Sequence, residues 1–212
     1  GTSAAFDQVR AKNPDILLLA LTPQEDTTMV EESSDLALDV DNISRGYRII
    51  EAAKEMGATK FVHISFPRHM SIELLALRRN IMKEAADELG IEFIDETAPD
   101  PTSDVGIPGA QQYIAEKIPT WIEKYGKDTA FFCTNDAHTE PLLRGIASGG
   151  AIFVEQDLPS PIMGYPGAFS VDLSGEAGDW PAINKKVEDV VVEKGGSGRM
   201  GTCTYSLGYS TT

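Results

Sequence analysis

Short apolar runs alternate with amphipathic stretches along most of the chain, and this alternation predicts the order of strands and helices. The run at 15–20 (DILLLA) is almost wholly apolar, which is typical of a strand buried on both faces. Further strands are predicted at 35–40, 60–65, 91–95, 129–134 and 151–154. Apolar residues at helical spacing predict helices at 4–12, 43–56, 71–89, 111–125, 139–148 and 181–193.

Turn-forming residues set the boundaries between these elements. Gly57 and Gly90 are expected to end their helices, Ser71 to cap the helix at 71–89, and Pro119 to break the helix at 111–125. Segments 96–109 and 157–178 are rich in proline and glycine, segment 195–198 (GGSG) predicts a flexible connection, and residues 202–209 predict a final strand. The βαβα order implies a mostly parallel sheet with right-handed crossovers.

The amino-acid composition limits the kinds of molecule that this chain is expected to bind. The 212 residues carry 18 basic and 33 acidic side chains, a net charge of −15, which disfavours binding of nucleic acid by this segment. No apolar run reaches the 18 or so residues of a transmembrane helix. The first residues lack a basic signal-peptide start, as a mature exported protein also would. Cys133 and Cys203 are interpreted as buried free thiols in preference to a disulfide.

Polar residues follow several predicted strands directly. In open parallel sheets ligands bind at the carboxyl ends of the strands, where loops and helix N-termini converge. This rule selects the candidate ligand-binding residues Asp41, Asn42, Ser65, Phe66, Arg68, Asn135, Asp136, His138, Asp157 and Ser160.

Each candidate also has a structural interpretation. Asp41 or Asn42 is suited to cap the helix at 43–56, and Asp136 to cap the helix that follows it. Arg68 either contacts the ligand or pairs with a nearby surface carboxylate, and Phe66 is either a stacking wall or a lid on the core. His63, inside a predicted strand, is interpreted as a core histidine with satisfied hydrogen bonds.

The sequence lacks the usual signatures of catalysis and cofactor binding. There is no GxSxG, HExxH or P-loop motif, and no GxGxxG follows a strand. We therefore predict no catalytic residues, no cofactor and no metal site. A cation site formed by Asp100, Asp104 and Asp136 is a minor alternative.

Several motifs resemble those of a known superfamily. The segments DN at 41–42 followed by Gly46 and Gly57, FVHIS at 61–65, and AFFCTND at 130–136 resemble stretches of lac-repressor-like sensors and sugar-binding proteins. The runs HISFPRHM at 63–70, FCTNDAHTEP at 132–141 and DLPSPIMGYP at 157–166 are similar to a bacterial family of uncharacterised periplasmic-binding-like lipoproteins.

The resemblance implies an α/β, two-lobed type I periplasmic-binding-protein-like fold with parallel sheets flanked by helices. We expect residues 1–41 to form part of an incomplete N-terminal lobe, 42–166 the C-terminal lobe, and 167–212 a crossover and return to the N-terminal lobe. By position, the resemblance matches Asp136 to the acidic residue that accepts hydrogen bonds from ligand hydroxyls, and Arg68 to a ligand-contacting arginine.

The implied function is capture of a small polar ligand between the lobes. The first hypothesis is an extracytoplasmic, lipid-anchored solute-binding protein, with the permease of an ABC transporter as partner. The alternatives are the effector-binding domain of a cytoplasmic transcription regulator and an enzyme acting in the same cleft.

Overall fold

The computed structural model describes residues 1–21, 23, 25–38 and 41–202. In that part of the chain the strands are β1 (Leu19–Leu21), β2 (Leu36–Leu38), β3 (Lys60–Ser65), β4 (Glu92–Thr97), β5 (Thr129–Cys133) and β6 (Ile152–Phe153). The helices are α1 (Thr2–Lys12), α2 (Thr27–Ser33), α3 (Asn42–Glu55), α4 (Pro67–Met70), α5 (Glu73–Leu89), α6 (Gly106–Tyr125), α7 (Thr139–Gly149), α8 (Tyr165–Phe169) and α9 (Trp180–Glu193).

The described residues divide into two compact units, one within residues 1–44 and the other within residues 45–202. In the smaller unit, β1 and β2 form a parallel pair. In the larger unit the sheet order is β4-β3-β5-β6, and every pairing is parallel. The alternating strand and helix pattern thus gave the correct fold class, α/β with parallel sheets flanked by helices.

Alternate residues of the larger sheet serve two separate cores. Phe61 and Phe132 pack with α3 and α5 through residues such as Ile49 and Met82. Val62 and Phe131 are adjacent in sequence to these residues, on the same strands, and belong to the other core. That second core includes α6, α7 and α9, so helices cover both faces of the sheet.

The predicted lobe boundaries, 1–41, 42–166 and 167–212, stay a prediction. The division into compact units falls at 44/45. Residues 167–202 lie in the larger unit, and Val187 and Val191 of α9 are part of its core. Of the segment 167–212, predicted as crossover and return, residues 203–212 lie outside the described residues, together with Cys203 and all but the first residue of the predicted final strand.

Three local predictions were wrong. Only one face of β1 is covered, because Ala20 is buried whereas Leu19 and Leu21 are exposed. Ser71 does not cap α5, since its hydroxyl donates to the Arg68 carbonyl (2.6 Å) at the end of α4. The helix α6 continues through Pro119.

The continuity of α6 has a simple physical reason. Proline at 119 cannot donate to the carbonyl of Ala115, four residues earlier. Both residues are exposed, so water can bond to the freed carbonyl and the helix need not break. The helix also starts at Gly106, five residues before the predicted start, which shortens the loop after β4.

Candidate functional site

The carboxyl ends of β3, β5 and β6 bring three of the predicted polar segments to one edge of the larger sheet. Ser65 ends β3, Asn135 and Asp136 follow β5, and Asp157 follows β6. Because the three strands are parallel neighbours, these residues share that edge. We call this set of side chains the sheet-edge site.

Buried hydroxyl and imidazole groups link β3 to β5 beneath this site. The Ser65 and Thr134 hydroxyls lie 2.7 Å apart, and His69 Nδ1 lies 3.1 Å from Thr134 Oγ1. The Phe66 ring is 2% exposed and lies against His69 and His138, with ring centroids 4.2 and 5.9 Å away. Phe66 therefore acts as a lid on the core in this structure, one of the two interpretations given above.

Asp136 and Asp157 give the site its acidic character. Asp136 is half-buried, and its Oδ1 accepts a long hydrogen bond (3.4 Å) from the Leu158 amide. Burial, followed by the nearby Asp157 carboxylate, raises the pKa of Asp136 from 3.8 to about 6. A carboxyl group that is costly to ionise in the free protein gains from a ligand that donates hydrogen bonds to it.

Two buried arginines, which the sequence analysis did not select, hold the acidic loop after β6. Arg78 Nη2 donates to Asp157 Oδ1 (2.5 Å), and Arg45 Nε donates to Glu155 Oε1 (2.6 Å). Arg45 Nη2 also donates to the Gln156 carbonyl (2.7 Å). Both guanidinium groups lie near the Phe132 ring, 5.2 Å from its centroid for Arg78 and 6.0 Å for Arg45.

A periodicity signal could have identified Arg78. Its position is four residues after Leu74 and four before Met82, so it falls within the predicted apolar stripe of α5. The side chain is 2% exposed, and its burial lowers the pKa, although Asp157 opposes that shift. An arginine inside an apolar stripe indicates a buried ion pair.

The side-chain amide of Gln156 organises the loop that carries Asp157 and Ser160. Gln156 is fully buried, and its Nε2 donates to the carbonyls of Ser160 (2.9 Å) and Met163 (2.7 Å). Its Oε1 accepts from the Thr202 hydroxyl (3.1 Å). The Ser160 hydroxyl accepts from the Ile162 amide (3.3 Å), so the described contacts of Ser160 lie within this loop.

The loop after β4 is held by contacts with the segments that follow β3 and β5. Arg68 donates to both oxygens of Asp100 (2.6 and 2.9 Å), and its hydrogen bonds lower the pKa of Asp100. His138, fully buried, has its Nε2 3.1 Å from the Pro99 carbonyl. The predicted alternative for Arg68, a pair with a nearby carboxylate, is thus present in the structure.

Asn135 and Asp41 have capping roles. Asn135 Oδ1 accepts from the Ala137 amide (3.0 Å) at the start of a short 3-10 turn, Asp136–His138. Asp41, in the smaller unit, accepts from the Ser44 amide (2.9 Å) at the start of α3. Asn42 is the first residue of α3, and its side chain lies outside the described part of the chain.

Within the described residues, no three histidine, cysteine or acidic side chains are arranged to hold a metal ion. Cys133 there is a free, buried thiol, and burial raises its pKa to about 12. None of the described helices is both long and apolar enough to cross a bilayer.

Comparison with known proteins identifies close relatives. The model of the family described as "Protein of unknown function (DUF3798)" matches residues 1–201. An uncharacterized protein of Treponema pallidum (strain Nichols) is 39% identical over 192 residues, which cover 91% of this chain and 87% of the relative. A second one from the same organism is 45% identical over 101 residues, 48% of this chain and 46% of the relative.

Solved structures confirm the type I periplasmic-binding-protein-like fold. A candidate transcriptional regulator from Clostridium difficile 630 matches with a TM-score of 0.81 and 27% identity, and the match covers 95% of this chain but only 57% of that one. A periplasmic binding ribose operon repressor protein from Lactobacillus acidophilus matches at a TM-score of 0.50 and 12% identity, covering 94% and 76% of the two chains. A carbohydrate transporter from Acidothermus cellulolyticus 11B, in complex with myo-inositol, gives 0.51 and 12%, covering 98% and 69%.

The last two similarities show the fold alone, whereas the family match rests on the sequence of nearly the whole chain. The chain therefore belongs to the DUF3798 protein family.

Proposed function

We propose that the sheet-edge site binds a small, hydroxyl-bearing ligand reversibly. The observation that carries this proposal is the half-buried Asp136 carboxyl beside Asp157 at the carboxyl ends of the strands. In this proposal Asn135, Asp136 and Asp157 supply hydrogen-bond acceptors at that edge, and Ser65, Phe66, Arg68, His138 and Ser160 are the further candidate contacts. The predicted role of Asp41 and Asn42, from the smaller unit, stays a prediction.

The ion pairs favour a ligand that donates hydrogen bonds over an anionic one. A phosphate or carboxylate ligand is favoured by cationic groups whose charge is not already paired with a carboxylate. Arg45, Arg68 and Arg78 each already donate to a carboxylate of this chain. Ligand hydroxyls can donate to Asp136 without breaking any of these ion pairs. The myo-inositol bound by a structural relative is a ligand of this class.

The first candidate role is that of an extracytoplasmic, lipid-anchored solute-binding protein that delivers its ligand to the permease of an ABC transporter. The relative of the same fold named as a carbohydrate transporter supports this role. The second candidate is the effector-binding domain of a transcription regulator. The high TM-score to the candidate regulator from Clostridium difficile favours that role.

A thermal-unfolding screen tests ligand binding. The panel contains D-ribose, myo-inositol, adenosine, glycine and citrate, and the chain is studied as wild type, Asp136→Ala and the surface control Asp87→Ala. Ligand at 100 times Kd stabilises by about 2.7 kcal/mol, which is about 5–10 °C for a domain of this size. We expect a hydroxylated compound to shift the wild type and Asp87→Ala, and not Asp136→Ala.

The outcome of the screen also separates the alternatives. A shift by citrate alone, or an equal shift in Asp136→Ala, contradicts the proposed ligand class and site. Chemical turnover of a panel compound supports the enzyme hypothesis in place of binding. A lipid-modified cysteine in the protein isolated from cells supports the transport role, and ligand-dependent DNA binding by that protein supports the regulator.

A further inference from the structure

A cavity of about 460 Å³ lies beside the sheet-edge site, between the edge strand β4, β3 and the helices α4 and α5. One wall is apolar and includes Pro67, Met70 and Ala76; the other is polar and includes His63, Arg79 and Asp95. Its volume is in the range of small-molecule sites. The cavity shares Ser65 and Phe66 with the sheet-edge site, but Asp136 and Asp157 do not line it, so its polar chemistry differs from that of the sheet-edge site.

The polar wall is built around the Asp95 carboxylate. Asp95 lies opposite His63 in the register of β3 and β4, and its Oδ1 is 3.3 Å from His63 Nδ1. Arg79 Nε donates to the same oxygen (3.1 Å), and Arg79 Nη2 donates to Oδ2. Burial opposes ionisation of Asp95, but the hydrogen bonds from His63 and Arg79 outweigh it and lower the pKa. Arg79 and Asp95 together are neutral.

His63 leaves one hydrogen-bonding atom unsatisfied at the base of this wall. The side chain is 1% exposed, and its ring stands between Phe93 and Phe132, with centroids 6.0 and 6.2 Å away. Nδ1 faces the ionised Asp95, which can only accept, so Nδ1 carries the proton and Nε2 is an acceptor. Nε2 is buried without a hydrogen-bond partner among the described residues, which costs free energy.

We propose that this cavity is a second binding site, for a small uncharged molecule with an apolar body and one O–H or N–H donor. The donor satisfies His63 Nε2, and the apolar body packs against Pro67, Met70 and Ala76. Nε2 is covered in this structure, so a ligand reaches it only after a lining side chain moves. Met70, which is unbranched and flexible, is one of the lining side chains. A neutral ligand fits because Arg79 and Asp95 already neutralise each other.

The test uses phenol as the probe. Anisole, which has a similar shape but no hydrogen-bond donor, is the matched control. The whole chain is labelled with ¹⁵N, and the Nε2 resonance of His63 is followed during titration. We expect phenol, and not anisole, to shift the Nε2 resonance saturably, because a hydrogen bond changes the shielding of that nitrogen. Ala76→Leu fills the cavity and is expected to weaken phenol binding at least tenfold, with its folding checked by thermal unfolding.

Two further variants make the test decisive. His63→Phe is expected to abolish the preference for phenol over anisole, whereas Asp136→Ala is expected to leave phenol binding unchanged. The proposal is overturned if phenol does not bind, if anisole binds as well as phenol, or if Ala76→Leu binds phenol normally. A His63 Nε2 resonance that shows a hydrogen bond in the free protein, unaltered by phenol, indicates a buried water alone and also overturns it.

Discussion

Arg78 on α5 and Asp157 after β6 form an ion pair across 79 residues of sequence, with Nη2 and Oδ1 2.5 Å apart. Arg78 is 2% exposed and Asp157 18%. The pair joins a helix of one core layer to the loop that carries part of the sheet-edge site. Asp157 in turn raises the pKa of Asp136, so the ion pair holds in place a carboxylate that influences the charge of the site.

Arg78→Met is expected to destabilise the chain by about 3 kcal/mol, since loss of one partner leaves a partly buried charge unpaired. Urea unfolding at pH 7 measures this. Lys83→Met is the control on the same helix, because the Lys83–Asp87 pair is exposed and its loss should cost at most about 0.5 kcal/mol. Equal effects of the two substitutions would show that the buried pair contributes nothing special.

Asp136→Asn is expected to stabilise the chain above pH 6, by at most about 3 kcal/mol, because it removes a carboxyl whose pKa rises from 3.8 to about 6 on folding. Well below pH 3.8 the wild-type carboxyl is protonated in both states, so the difference in stability between the two proteins should be smallest there. The difference should grow between pH 4 and 6 and then level off.

Unfolding by urea at pH values from 3.5 to 8 measures this difference. Asp87→Asn, an exposed surface change, serves as the control and should show no such growth with pH. A pH-independent difference between wild type and Asp136→Asn would mean that Asp136 ionises normally in the folded chain.

Gln156→Leu is expected to destabilise the chain by about 3 kcal/mol, since the carbonyls of Ser160 and Met163 lose their donor and the Thr202 hydroxyl its acceptor. Hydrogen exchange at the Met163 amide, which donates to the Ser160 carbonyl, should become faster. Gln112→Leu, on the exposed face of α6, should change stability by less than about 0.5 kcal/mol. Unchanged exchange at Met163 would refute the organising role of Gln156.

Gly145→Ala is expected to destabilise the chain by about 1–3 kcal/mol, because a Cβ there would lie 2.2 Å from Ile118 Cγ2 where α7 meets α6. Helix propensity alone would give the opposite sign, a gain of about 1 kcal/mol. Thermal unfolding distinguishes the two signs. Ile118→Ala should lower the free energy of unfolding less in the Gly145→Ala background than in the wild type, because it removes the clash. If the effects of the two substitutions simply add in the double variant, the predicted clash is ruled out.

Sequence patterning predicted the fold well, because strand and helix periodicities depend on local side-chain alternation. Strands β3, β5 and β6 were predicted within one or two residues, as was the end of α5, where Gly90 adopts a left-handed conformation (φ 70°). The carboxyl-end rule selected Asn135, Asp136 and Asp157, which lie at one edge of the sheet because parallel strands fix where their ends lie. Their role in ligand binding stays a prediction.

The ion pairs of the site could not be predicted from local sequence patterns. Arg68 and Asp100 are 32 residues apart, and Arg45 and Glu155 are 110 apart, so no spacing in the sequence relates them. The hydrogen bonds of the buried Gln156 side chain to its own loop were missed for another reason. A glutamine is ordinarily exposed, and only the folded loop encloses this one.

The location of ligand binding is the central claim, and an NMR titration tests it most directly. The ¹⁵N-labelled chain is titrated with the panel compound that gives the largest thermal shift. Binding at the sheet-edge site predicts saturable shifts of backbone amides at 134–138 and 156–160, lost in Asp136→Ala and kept in Asp87→Ala. Saturable shifts confined to other parts of the chain, or shifts that persist in Asp136→Ala, would contradict the account.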